Sequence, residues 1–108
     1  MTEIDPLLAV NFLQLTAPRF SQAKAERTFL ENYLKTIKSR LMQESDSKSL
    51  GDREAYAYAH ETYVEQLRGY KQAIEEEERL KWLMTAAQAK IEVWKTLEYT
   101  KRAEMKNL

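Results

Sequence analysis

The sequence predicts an all-α protein: a long antiparallel coiled-coil helical hairpin with a short N-terminal helix. Three observations carry this. From Glu61 to about Met105 there is no Pro, and Gly69 is the one Gly, while Leu67, Tyr70, Ile74, Leu80, Met84, Ala87, Ile91 and Trp94 recur at helical spacing. Phe20, Ala23, Arg27, Leu30, Leu34, Ile37 and Leu41 step by alternating three and four residues, a seam with one charged member. Two Gly and two Pro in 108 residues leave little turn chemistry. With 44% hydrophobic residues the chain is too apolar to stay disordered.

Each element follows from local chemistry. Asp5-Pro6 reads as a helix start, with Asp as N-cap and Pro at the first helical position. This short helix is expected over 6–16. Leu8, Phe12 and Leu15 lie on one side and other apolar residues elsewhere, which suggests burial on more than one face. Residues before Pro avoid the helical region, so Thr16-Ala17-Pro18 reads as a boundary and a second helix is expected over 18–45. Residues 46–60 read as a loop with a short helical turn, with Asp52 as its cap. A bend near His60 then opens the long helix over 61–105.

That helix is expected to change phase once, where the Tyr63, Leu67, Tyr70, Ile74 stripe meets Glu75-Glu76-Glu77-Glu78. Four successive helical residues sweep about 300°, so at least one glutamate faces inward. Folding the hairpin places Arg27 opposite residue 78 or so, which predicts a partly buried register ion pair between Arg27 and Glu77. A helix of this length spans roughly 65 Å at about 1.5 Å per residue. Its far end outruns the preceding helix, so Ile91, Trp94, Leu97 and Tyr99 are expected to pack on another subunit of a dimer or higher oligomer.

Charge is balanced at 17 basic and 17 acidic residues but unevenly spread. Residues 41–78 hold four basic and ten acidic residues, and residues 79–108 hold seven and three, so one end of a hairpin is acidic and the other basic. Lys90, Lys95, Lys101 and Arg102, near Trp82, Trp94 and Tyr99, make a nucleic-acid contact the alternative use of the basic end. Tyr56, Tyr58, Tyr63 and Tyr70 enrich the acidic end, where they fit a hairpin core better than a partner-binding surface. No cysteine is present, which excludes disulfides and thiolate metal sites. No His follows three residues after a Glu, so the di-iron carboxylate pattern is missing and no cofactor is expected. His60 is the one histidine and reads as a boundary residue, not a base; no catalytic role is assigned. No signal peptide or membrane span is expected.

The stretch from Arg53 through His60, with Glu75 through Trp82 and Ala86 through Trp94, resembles small phage-encoded proteins from the early and recombination gene region of temperate enteric phages. The resemblance covers roughly residues 24–99. Members of that family carry Pro directly after the position of His60; this chain has Glu61, which specifies a helix start less firmly. The resemblance implies the cytoplasm of an infected bacterial host. Together with the residues, it suggests a non-enzymatic interaction module for an unknown phage or host protein, with phage or host DNA metabolism as the expected setting.

Overall fold

The computed structural model describes residues 3–107; Met1, Thr2 and Leu108 lie outside the described residues. Three helices account for nearly all of them: α1 (Pro6–Glu44), α2 (Leu50–Ala59) and α3 (Glu61–Lys106). There is no strand among the described residues. The chain divides into two compact units, one of residues 22–77 and one joining the segments to Ser21 and from Glu78.

α1 begins where Asp and Pro place it. Asp5 Oδ1 accepts from the backbone N–H of Leu7 at 2.9 Å and of Leu8 at 3.4 Å, satisfying amides that have no partner within the helix. The boundary expected at Pro18 is absent, and the helices over 6–16 and 18–45 are one: Pro18 lies inside α1. The reason lies in the buried row. Ala9, Leu13, Thr16, Phe20, Ala23, Arg27, Leu30, Leu34, Ile37 and Leu41 are buried or half-buried and step alternately by four and three without a slip at Pro18. Packing along one continuous stripe offsets the cost of an internal proline, about 3 kcal/mol. The burial on more than one face expected of residues 6–16 is also corrected. Leu8 is 67% and Leu15 76% exposed, while the adjacent Thr16 takes an inward position.

In α3 the expected phase change does not occur. Gln66, Tyr70, Ala73, Glu77, Leu80, Met84, Ala87, Ile91 and Trp94 keep the four-and-three rhythm as its buried or half-buried row. Leu67 and Ile74, assigned to the stripe by their apolarity, are exposed. The glutamate run holds one phase because Glu77 occupies the inward position.

The loop is shorter than 46–60. It ends at Ser49, whose Oγ accepts from the Asp52 N–H at 3.4 Å. Asp52 is therefore not the cap; it sits in the first turn of α2 and accepts from Ser47 Oγ at 3.2 Å. Ser47 also accepts from the Ser49 N–H at 3.1 Å and, through its carbonyl, from Arg53 Nε at 2.7 Å. The fully buried Ala57 brings α2 close against Ile37 and Leu41, with Tyr33, Met42 and Tyr63 around them. His60 separates α2 from α3 with extended backbone, φ −68° and ψ 139°, and its Nδ1 accepts from the Thr62 N–H at 3.1 Å.

Candidate functional site

A concavity lies in the unit that joins residues 3–21 to residues 78–107. It is an open groove of about 540 Å³. Its floor is Ala9 and Ala87, both buried. These small side chains leave the hollow, and both hold inward positions of the four-and-three rows. Leu8 and Phe12 from α1 line it on one side, and Leu83 and Ala86 from α3 on the other. Glu3, Asp5 and Lys90 are its ionisable lining residues. No nucleophile with an adjacent base faces it, so its chemistry is that of apolar contact.

Beside this groove runs more exposed apolar surface. Leu8 and Leu15 stand seven residues apart on one row of α1. On α3, Leu83, Val93 and Leu97 are each more than two-fifths exposed. Such a surface on both helices beside one groove is what interaction sites present.

Trp94 and Ile91, expected to need another subunit, are half-buried within the chain. Trp94 borders a second hollow with residues 3–7. Leu97 and Tyr99 are exposed.

Arg27 and Glu77 meet in the other unit. Arg27 Nε donates to Glu77 Oε2 at 2.6 Å and Nη2 to Oε1 at 3.3 Å, a two-pronged contact. Arg27 Nη1 also donates to Glu31 Oε2 at 3.0 Å. The Glu77 carboxylate, above all by hydrogen bonding, raises the Arg27 pKa beyond its already high value, so the guanidinium is charged at any working pH. Glu77 retains 14% of its side-chain exposure and Arg27 26%.

The four basic residues of the alternative site are not gathered. Lys90 lines the groove. Lys95 pairs with Glu92 at 3.2 Å and Lys101 with Glu98 at 3.6 Å, each along its own helix, and Arg102 is exposed. Trp82 is 62% exposed, and its Nε1 donates to Glu78 Oε2 at 3.0 Å. Acidic neighbours thus lie beside two of the four cations that a phosphate contact would use.

One cluster joins Lys38 and Glu54, which carry no signal in the sequence, to two of the tyrosines expected at the hairpin core. Lys38 Nζ lies 4.8 Å from the Tyr58 ring centroid and 3.9 Å from Glu54 Oε1. Tyr58 packs edge-on against Tyr63 at 5.3 Å. The Tyr58 hydroxyl chiefly, and Glu54 less, raise the Lys38 pKa above the ordinary lysine value. These residues come from different helices, so no fixed spacing announces them.

Among the described residues no group of three or more His, Asp or Glu is placed to hold a metal ion, and no helix is long and apolar enough to cross a membrane. Set against protein-family models, characterised proteins and solved structures, the chain matches none of them.

Proposed function

We propose that this chain is a non-enzymatic accessory protein, a helical interaction module whose working form is a homo-oligomer. The carrying observation is the open apolar groove, lined by the exposed Leu8 on one helix and the exposed Leu83 on the other. A monomer that leaves such surface in water is prone to associate. The four-and-three burial rhythm of α1 and α3 supports a long antiparallel coiled-coil hairpin as the scaffold. The Arg27–Glu77 pair suits a register-fixing role within it. The phage resemblance adds a setting, the cytoplasm of a bacterial host, and a phage or host protein of DNA metabolism as the further partner.

Light scattering across a dilution series tests this reading. The expected result is a mass at least twice the 12.7 kDa of the chain, held into the micromolar range. A monomer throughout removes the homo-oligomer. Salt-sensitive binding of single-stranded nucleic acid, lost when Lys90, Lys95, Lys101 and Arg102 are neutralised, would replace the interaction module with a nucleic-acid accessory role.

A further inference from the structure

We propose that the groove between α1 and α3 seats a second copy of this chain, turned end for end, so that the same face of each copy covers the other. The inference rests on the homo-oligomer reading and specifies its interface.

The exposed row accommodates a second copy. Leu8 and Leu15 lie on one face of α1 with the half-buried Phe12 between them. Reversing one copy about a centre beside Phe12 sets Leu8 of each copy opposite Leu15 of the other. A two-fold interface demands this, since a contact from i to j must recur from j to i.

The charges answer to the same operation. The groove is acidic at one end, where Glu3 and Asp5 line it. Arg19 continues the Leu8, Phe12, Leu15 row by one helical step. It lies as far beyond Leu15 as residue 4 lies before Leu8. The reversal that matches the leucines therefore brings Glu3 and Asp5 against Arg19 of the second copy. Lys90 of the first copy shares that end, so two acids meet two bases at each end of the interface. A copy laid parallel would set acid beside acid across the two chains at one end. The charge pattern thus selects the reversed arrangement.

The absence of cysteine makes a direct test simple. Leu8→Cys and Leu15→Cys are made as separate full-length chains carrying different mass tags, then oxidised alone and mixed. A disulfide needs Cα atoms within about 7 Å. In the reversed dimer Leu8 faces Leu15, while two copies of residue 8 stand about 10 Å apart at 1.5 Å per residue. The expected result is a cross-linked heterodimer from the mixture and little cross-linking from either variant alone. A second readout is the dimer dissociation constant. It should rise roughly tenfold in Arg19→Glu and return when Glu3→Arg is added to the same chain. Leu8→Cys linking to itself as readily as to Leu15→Cys overturns the reversed arrangement. A dimer that persists with no cross-link in any combination overturns this interface while the homo-oligomer reading stands. A wild-type monomer overturns both.

Discussion

The two units apply one rule to different ends. Both bury the inward row of a seven-residue rhythm on α1 and on α3. In residues 22–77 a third helix is present. α2 drives Ala57 onto Ile37 and Leu41, and Tyr58, Tyr63 and Lys38 close over the edge. In the unit of residues 3–21 and 78–107 no third helix exists among the described residues, and Leu8, Leu15, Leu83 and Leu97 remain in water. The contrast shows what a pair of helices lacks. Two helices can bury one row each, and the neighbouring apolar rows need a further element. α2 is that element in one unit; the second copy is proposed for the other.

The largest effect should come from the inward row of the groove-bearing unit. Leu80 is the bulkiest side chain that is nearly fully buried, at 2% exposure. Leu80→Ala should cost about 2–5 kcal/mol in denaturant unfolding. Leu15→Ala, on the exposed row, should cost under about 0.5 kcal/mol in dilute protein, and its cost should grow with protein concentration. Equal costs at all concentrations would erase the distinction between the inner and outer rows.

Pro18→Ala should act in the opposite direction. It restores an amide hydrogen and removes the ring from a helix interior, and should raise stability by about 1–3 kcal/mol. No gain in thermal unfolding would mean that the helix has bent to suit the proline.

The ion pair separates burial from attraction. Glu77→Gln leaves Arg27 without its closest charge partner and should destabilise more than the double change Arg27→Met, Glu77→Leu, which leaves neither charge behind. A double variant weaker than the single one would show that the pair carries net stability.

Ser49→Ala removes the cap that starts α2 and should cost about 1 kcal/mol. The helical signal of residues 50–59 should fall first, by nuclear magnetic resonance shifts. The smallest effect concerns Lys38. Its pKa is raised in the folded chain, so the folded state holds that proton more tightly than the unfolded chain does. The contribution is complete below the ordinary lysine value and is lost as pH rises through the folded midpoint. Lys38 should titrate above the ordinary lysine value, and Tyr58→Phe should bring it back toward that value.

How much of this was legible in the sequence depended on whether a residue's type agrees with its position. Asp5 and Pro6 mark a helix start by chemistry that needs no context, and His60 falls at a break that the structure also has. Thr16 and Pro18 read as a boundary because a polar residue and a proline adjoin, yet Thr16 is an inward member of the row. Gln66, Ala73 and Glu77 hold inward positions in α3 while more apolar neighbours, Leu67 and Ile74, stand outside. A reading that follows apolarity finds a phase shift there. Arg27 and Glu77 were legible together because Arg27 is the one charged member of its row and folding the hairpin sets it opposite the glutamate run. The groove was partly legible: the Leu8, Phe12, Leu15 face and the inward Ala87 could be drawn from spacing, but Ala9 could not, since alanine carries no strong signal of either burial or exposure.

Pro18 has a consequence for how α1 opens. With no amide hydrogen at residue 18, the Gln14 carbonyl loses its usual partner and the ladder of helical bonds is interrupted there. Opening that begins at Pro6 has a natural stopping point two residues before Phe20. In deuterium exchange, amides ahead of residue 18 should exchange through local openings of low free energy, while those beside Leu34 and Ile37 wait for the larger opening of the chain. One helix by geometry would then be two segments by protection.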